Sequence, residues 1–78
     1  MKVEILTPEK NVFEGEARLV SLPGSDGSLG ILNNHAPLIT TLAEGNVKVE
    51  GTDGKVQEFH VKGGTVEVLN NRVIVLAE

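Results

Sequence analysis

Glycine or proline interrupts this 78-residue chain so often that no window of ten or more residues carries the apolar stripe of a helix. Between the interruptions, apolar and polar residues alternate with the period of two that is typical of half-buried strands. Residues 2–6 show this pattern, with Val3 and Ile5 on one face and Lys2 and Glu4 on the other. The sequence therefore predicts an all-β fold with no substantial helix.

Turn residues divide the chain into about eight strand segments, at the short, regular spacing expected of an antiparallel sandwich or barrel. Asp53-Gly54 predicts a tight hairpin, and Asn70-Asn71 predicts a turn before the last strand. The last strand is apolar on both faces, which predicts burial of both, whereas 46–50 should keep one wet face. The segments are 2–6, 12–22 with a bulge or bend at Gly15, 29–32, 38–42, 46–50, 55–61, 65–69 and 72–76.

Length and composition predict a single domain over residues 1–78. A chain of this size buries only about 60% of its unfolded surface, so the core should be modest. Apolar residues make up 40% of the chain and charged residues 23%, which is typical of soluble globular proteins. The apolar runs, the longest at 73–77 and around Leu38, are far shorter than the roughly 20 residues that span a bilayer. No apolar signal-peptide core opens the chain. We expect a soluble, cytoplasmic protein.

The charge pattern argues against nucleic-acid binding. The net charge is −4, and the seven lysines and arginines are scattered along the chain instead of clustered. Such a chain would repel phosphate backbones overall. The only aromatic residues, Phe13 and Phe59, offer no platform for stacking bases.

The sequence contains no complete motif for catalysis, metal binding or cofactor binding. The glycine loop at 24–30 lacks both the following helix and the lysine of a phosphate-binding loop. His35 and His60 are the only imidazoles, the chain has no cysteine, and a metal site would need further ligands. A loop or partner contact is expected for His35 and a cross-strand surface contact for His60. Glu14 and Glu16 flank a glycine, where solvated charge is the ordinary explanation. The chain should have no catalytic residue, metal site or cofactor and should not be an enzyme by itself.

The stretch 22–42 departs furthest from plain strand alternation. Its glycines surround small polar residues, which indicates an exposed loop. Leu29 lies near the end of this loop, and Leu38 follows a second turn. Apolar residues on exposed loops favour docking to a partner. The alternative is that both leucines turn into the core, and the sequence leaves the two readings open.

Gly24-Ser25-Asp26-Gly27-Ser28-Leu29-Gly30-Ile31, followed by His35-Ala36-Pro37-Leu38, resembles the signature of the epsilon-subunit family of bacterial and chloroplast F-type ATP synthases. The resemblance extends over essentially the whole chain. Further support comes from residues 12–15, 63–64, 66–68 and 73–76.

The resemblance implies a flattened β-sandwich of two sheets, in agreement with the strand pattern. It also implies a non-catalytic rotor subunit of the central stalk, which links the gamma subunit to the membrane c ring and so couples proton-driven rotation to ATP synthesis. Such a subunit is peripheral, on the cytoplasmic face of the bacterial plasma membrane, without inserting into the bilayer. By position in the motif, the c-ring contacts would be Ser25, Asp26, Gly27, Ser28 and Leu29, and the gamma contacts His35, Ala36, Pro37, Leu38 and Thr40.

Longer family members continue beyond the position of Glu78 into a helical hairpin that is absent from this sequence. A complete short subunit and an excised domain are both compatible with that difference. The alternative class is a biotinyl or lipoyl carrier domain, which displays a modified lysine on a tight hairpin. Only Lys55 is placed suitably, and its neighbours do not resemble either modification motif. A stand-alone enzyme would need a pocket that this chain is nearly too small to enclose.

Overall fold

A computed structural model describes residues 1–78, which form nine β-strands and no helix. The all-β prediction is confirmed. None of the chain forms a helix that could cross a membrane. The strands are β1 (Lys2–Leu6), β2 (Asn11–Glu16), β3 (Leu19–Gly24), β4 (Gly27–Leu32), β5 (Leu38–Leu42), β6 (Gly45–Glu50), β7 (Val56–Val61), β8 (Gly64–Leu69) and β9 (Arg72–Ala77).

The strands form one hydrogen-bonded path in the order β2-β1-β9-β8-β5-β3-β6-β7, with β4 paired to β3. The path narrows between β5 and β3 to the single pair Gly24 and Leu42. There it folds over into two layers, the first from β2 to β5 and the second containing β3, β4, β6 and β7. All pairings are antiparallel except β1 with β9, which are parallel. The first and last strands share no short connection, so no turn fixes their relative direction.

The core lies between the two layers and consists of the inward residues of alternating strands. β6 shows the pattern clearly, because Val47 and Val49 are buried while Asn46 and Lys48 are exposed. The predicted wet face of this hairpin is confirmed. The buried apolar residues form one cluster: Met1, Val3, Ile5, Ala17, Val20, Leu22, Ile31, Leu42, Val47, Val49, Val61, Val66, Val68, Val73, Val75 and Ala77.

An aromatic pair connects β2 and β7, the strands at the two ends of the hydrogen-bonded path. Phe13 lies on β2 and Phe59 on β7, and their ring centroids are 5.4 Å apart with the rings tilted by 49°. Both rings pack against the core cluster. Tilted aromatic pairs at this spacing add about 1 kcal/mol beyond the area they bury. The pair therefore holds the outer strand of one layer against that of the other.

The prediction of a bulge or bend at Gly15 is wrong. Gly15 pairs in regular register with Val3, and a Cβ built on Gly15 would lie 3.1 Å from the Phe13 ring. The glycine therefore gives room to an aromatic ring. The chain instead breaks at Ala17 and Arg18, whose amides donate to the carbonyls of Met1 and Glu50. The predicted segment 12–22 consequently becomes two strands, one in each layer.

The last strand is central, as predicted, but only one of its faces is fully buried. β9 lies between β1 and β8, with Val73 and Val75 in the core. Leu76 is 52% exposed, so the expectation that both faces are buried is wrong. The reason is that the second layer covers only the inner face of β9.

Candidate docking surfaces

The β3–β4 hairpin carries the residues predicted to meet the c ring. Gly24 pairs with Gly27 at its tip, and Gly27 has a φ of +131°, which L side chains rarely adopt. This glycine allows the tight turn, and four consecutive residues of the turn are exposed to solvent. The exposed residues are Ser25, Asp26, Gly27 and Ser28.

Residues 24–28 are called here the tip hairpin. Hydrogen bonds connect the base of the tip hairpin to the end of β5. The Ser25 amide donates to the Thr41 carbonyl at 3.0 Å, and the Thr41 hydroxyl donates to the Ser25 hydroxyl at 2.8 Å. The Ala43 amide donates to the Pro23 carbonyl at 2.8 Å. These bonds connect an exposed turn to a paired strand, so the tip hairpin presents its polar groups from a fixed base.

Leu29 is half-buried and packs against the core cluster. It lies over Gly24, because a Cβ built there would be 3.0 Å from the Leu29 Cγ. The side chain therefore contributes to the fold and still keeps part of its surface accessible. Leu38 is also half-buried against the core. Each leucine therefore packs partly in the core and keeps part of its surface accessible to a partner, so each fits both of the interpretations that the sequence left open.

We expect Leu29→Glu to leave the fold intact and, if this hairpin meets the c ring as the resemblance implies, to weaken that contact. Leu29 lies near the start of β4 and is half-buried, so a glutamate there can turn its carboxylate to solvent and the free energy of unfolding should fall by only about 1 kcal/mol. Val75→Ala, inside the core, should lower it by about 2.5 kcal/mol. Thermal melting followed by circular dichroism compares the two variants. A fall for Leu29→Glu as large as that for Val75→Ala would assign the leucine to the core instead of a docking surface.

Residues 33–37, called here the asparagine loop, join β4 to β5 and include three of the predicted gamma contacts. Asn34 has a φ of +62°, and the His35 amide donates to the Leu32 carbonyl at 3.2 Å. The His35 Nδ1 lies 2.7 Å from the Ala36 carbonyl oxygen, to which it donates. The expected loop contact of His35 is therefore confirmed. Asn33, Asn34, His35, Ala36 and Pro37 are all exposed.

The other two predicted gamma contacts lie on the inner side of β5. Leu38 and Thr40 share this side with the buried Leu42, and both are half-buried. Their neighbour Ile39 points the opposite way and is 75% exposed. Ile39 was not among the predicted contacts, although period-two alternation from Leu42 is a sequence signal that could have indicated it.

Ile39 belongs to a group of apolar side chains on the outer face of the first layer. Strand register places Ile39 opposite Glu67, and Glu67 opposite Ile74. Leu69 and Leu76 are 46% and 52% exposed on the same face. We call Ile39, Leu69, Ile74 and Leu76 the outer apolar patch.

Glu67 lies within this patch and forms no salt bridge in the structure. The nearby Glu4 carboxylate accepts a bond from Arg72 Nη2 at 2.8 Å and lies 3.9 Å from Lys2 Nζ. The charges at the edge of the patch are therefore paired, while the carboxylate at its centre is exposed and free. An apolar surface around one free carboxylate fits a partner that presents apolar side chains and a cation.

The remaining titratable residues singled out from the sequence form surface pairs. His60 Nε2 lies 3.0 Å from Glu44 Oε2, and His60 Nδ1 lies 3.0 Å from Asn46 Oδ1 on the neighbouring strand. The predicted cross-strand surface contact of His60 is confirmed. Glu14 pairs with Lys2 Nζ at 3.1 Å, and Glu16 lies 3.5 Å from the Met1 amine.

The fold is that of a small two-layer β domain whose exposed features are two turns and an apolar face. Comparison with known sequences shows which family this is. The chain belongs to the family of the beta-sandwich domain of the ATP synthase delta/epsilon chain, whose model matches residues 1–78. The resemblance noted from the sequence is thereby confirmed.

Two curated relatives are ATP synthase epsilon chains. The protein from Desulforamulus reducens is 48% identical over 77 residues, covering 99% of this chain and 58% of the relative. That from Delftia acidovorans is 45% identical over 76 residues, covering 97% of this chain and 55% of the relative. The chain thus spans a little over half the length of these relatives.

Two solved structures share the fold. One is a chain of the Tetrahymena thermophila mitochondrial ATP synthase central stalk and c ring, with a TM-score of 0.81 and 25% identity over 99% of this chain and 62% of that one. The other is a chain of the Euglena gracilis mitochondrial ATP synthase, with a TM-score of 0.90 over 96% of this chain and 48% of that one. At 21% identity, the second likeness concerns the fold alone.

Proposed function

We propose that this chain is a rotor domain in the central stalk of an F-type ATP synthase, linking the gamma subunit to the c ring so that proton-driven rotation is coupled to ATP synthesis. It performs no covalent chemistry itself and binds neither cofactor nor nucleic acid. It is a peripheral component on the cytoplasmic face of the membrane, without insertion into the bilayer. Support comes from family membership and from the likeness to a chain of a central stalk and c-ring structure.

The observation that carries this proposal is the placement of the tip hairpin and the asparagine loop, which hold most of the predicted contacts, at opposite ends of β4. Thr40, a predicted gamma contact on β5, lies apart from the asparagine loop and next to Thr41, which bonds to Ser25 of the tip hairpin. The tip hairpin includes the first two residues of β4, and the asparagine loop begins directly after the last residue of β4. The six-residue strand separates them by about 17 Å, at a rise of about 3.4 Å per residue. Two partners can therefore bind at once without competing for the same surface, as a linking subunit requires.

The tip hairpin suits the c ring because it presents hydroxyl, carboxylate and backbone groups to solvent. Hydrogen bonds from Ser25 and Thr41 hold its base, so little ordering is needed when it binds. The asparagine loop and the adjoining outer apolar patch suit the gamma subunit. A cation of that subunit would face the free carboxylate of Glu67, which would give the interface electrostatic complementarity.

Co-purification with the gamma subunit of the same organism tests the proposal. Size-exclusion chromatography at moderate salt should show a stable one-to-one complex of the two chains. Addition of the detergent-solubilised c ring should then shift that complex to the size of the ring assembly. Elution of the chain alone in both experiments would contradict the role in the stalk.

Charge reversal at the tip hairpin should weaken the c-ring contact specifically. We expect Asp26→Arg to reduce the affinity of the gamma complex for the c ring about tenfold, or about 1.4 kcal/mol, because a polar contact is replaced by a mismatched charge. Binding to gamma alone should not change. Glu9→Arg is the matched control, since it makes the same charge change at an exposed residue in the turn between β1 and β2.

Surface plasmon resonance on immobilised c rings measures both variants. Equal losses for Asp26→Arg and Glu9→Arg would indicate a general effect of net charge and would remove the tip hairpin from the interface. An unchanged affinity for Asp26→Arg would also contradict the assignment.

The carrier-domain alternative predicts a covalent modification of Lys55. This residue is exposed in the five-residue connection between β6 and β7, where Asp53 Oδ1 accepts a bond from the Lys55 amide at 3.0 Å. Family membership favours the stalk role over this alternative. An intact mass equal to the sequence mass would exclude the modification in the purified protein.

A further inference from the structure

β4 forms a free edge of the second layer, because it pairs with β3 and with no other strand. The strands at the two ends of the hydrogen-bonded path, β2 and β7, are also edges. β2 carries Glu14 and Glu16, and β7 carries Glu58. Charged side chains on an edge discourage a further strand from pairing with it. The sequence of β4, Gly-Ser-Leu-Gly-Ile-Leu, contains neither a charge nor a proline, so this edge lacks that protection.

The hydrogen bonds of β3 show which backbone groups of β4 point away from the sheet. The Pro23 carbonyl accepts a bond from the Ala43 amide at 2.8 Å and therefore points away from β4. Proline has no N–H, so Pro23 and its partner Ser28 form a pair without backbone bonds. Bonded and non-bonded pairs alternate along an antiparallel ladder, so Gly30 and Leu32 are also in non-bonded pairs. The N–H and C=O groups of these three β4 residues consequently point outward along the free edge.

The outward groups are accessible and mostly unused. Ser28, Gly30 and Leu32 are exposed, and Leu32 is 62% exposed. Only the Leu32 carbonyl has a partner outside the strands, the His35 amide at 3.2 Å. Gly30 has no side chain to keep another backbone away, and even a Cβ built there would meet only the Leu19 Cδ1, at 3.9 Å. The edge therefore offers three donors and two acceptors at the spacing of a neighbouring strand.

Area and continuity favour the gamma subunit over a second copy of this chain as the occupant. β4 is about 20 Å long and a sheet is about 10 Å thick, so a strand added to this edge alone would cover about 200 Å². A stable interface needs about 800 Å² on each partner, so the edge must belong to a larger surface. β4 continues directly into the asparagine loop, and Pro37 of that loop lines one groove with Ile39 and Leu69 of the outer apolar patch. The loop and the patch are the surfaces that the proposed function assigns to gamma.

We propose that an extended segment of the gamma subunit adds to β4 as a further strand. The inference rests on the proposed function, because it takes gamma as the partner of the asparagine loop. Backbone groups of the segment pair with Ser28, Gly30 and Leu32, and the segment ends there, which leaves the turn at 25–27 free for the c ring. The segment is uncharged and free of proline, because β4 offers no opposite charge and each outward carbonyl needs an N–H donor.

Amide hydrogen exchange in the gamma complex tests the added strand without any variant. Exchange proceeds in the complex, is quenched, and is read amide by amide by NMR of the isotope-labelled chain after dissociation. We expect the Gly30 and Leu32 amides to exchange at least ten times more slowly in the complex than in the free chain. The Glu58 amide, on the edge strand β7, is the control and should keep its rate.

Gly30→Pro tests the same contact through binding. A proline at this position removes an N–H that the pairing with β3 does not use, so the hairpin should persist. We expect the affinity for gamma to fall about tenfold, because one hydrogen bond of the added strand is lost. Gly30→Ala is the matched control, since it keeps the N–H and its Cβ makes only an ordinary contact with Leu19. Isothermal titration should show less than a twofold change for this control.

The outcomes separate this inference from the proposed function. A gamma complex in which the Gly30 and Leu32 amides exchange as fast as in the free chain would overturn the added strand and leave the stalk role standing. Equal affinities of gamma for the two Gly30 variants would do the same. Protection of these amides in the chain alone, increasing with its concentration, would assign the edge to a second copy and so overturn the inference. Absence of any gamma complex would contradict the proposed function and this inference together.

Discussion

Replacing Gly64 with alanine should lower the free energy of unfolding by about 4 kcal/mol. Gly64 opens β8 with a φ of +138°, and a Cβ built there would lie 2.1 Å from the Leu76 carbonyl oxygen and 3.0 Å from the Ala77 Cα. Both atoms belong to the backbone of β9, which also pairs with β1. The strand cannot retreat without losing that second pairing, so the strained φ and the steric clash add together.

Gly27→Ala is the matched control that measures only the cost of the strained backbone conformation. Its φ of +131° is close to that of Gly64, yet a Cβ built there meets nothing within 4 Å. We expect a loss of about 1–2 kcal/mol from the strained conformation. The difference between the two variants then measures the clash with β9.

Urea denaturation followed by circular dichroism gives both values, since the chain has no tryptophan for fluorescence. The melting temperature should also fall by about 20 °C for Gly64→Ala, at about 5 °C per kcal/mol in a domain of this size. Equal losses at Gly64 and Gly27 would show that β9 accommodates the methyl group and would contradict the close approach.

Gly64 also illustrates what local sequence patterns can and cannot predict. Gly63-Gly64 marks a break in the sequence, and the structure indeed starts β8 there. The closeness of β9 to Gly64 depends on a pairing that only the folded chain defines. By contrast, the inward residues Val47, Val49 and Val66 follow from period-two alternation, because a strand with one covered face must place every second side chain in the core.

The parallel pairing of β1 with β9 has no local signal, since it joins the two ends of the chain. The same limit applies to the candidate docking surfaces. The exposed tip hairpin was predictable, because glycines around short polar residues define a turn without reference to the rest of the fold. The outer apolar patch was not, because Leu69 and Leu76 come together with Ile39 only through the register of β5, β8 and β9.

Ile39→Lys should weaken binding to the gamma subunit about 100-fold, or about 2.7 kcal/mol, if that subunit covers the outer apolar patch. Ile39 is the most exposed large apolar side chain, at 75%, and its burial by a partner would be lost. The new ammonium would also repel the cation expected opposite Glu67. In the free chain, the lysine faces Glu67 across the strands, so the fold should keep its stability.

Val56→Lys is the control, because it makes the same charge change at an exposed residue outside the outer apolar patch. Val56 is also β-branched and exposed, and it too faces a glutamate across the strands, Glu50. The glutamate that faces Val56 differs from Glu67 in being paired with Arg18. It lies in the second layer, away from the patch. Isothermal titration with gamma should therefore show full affinity for Val56→Lys, with melting temperatures of both variants within about 3 °C of the original chain. Because both variants add the same charge, equal weakening would mean that gamma senses only net charge, and the patch would then need another occupant.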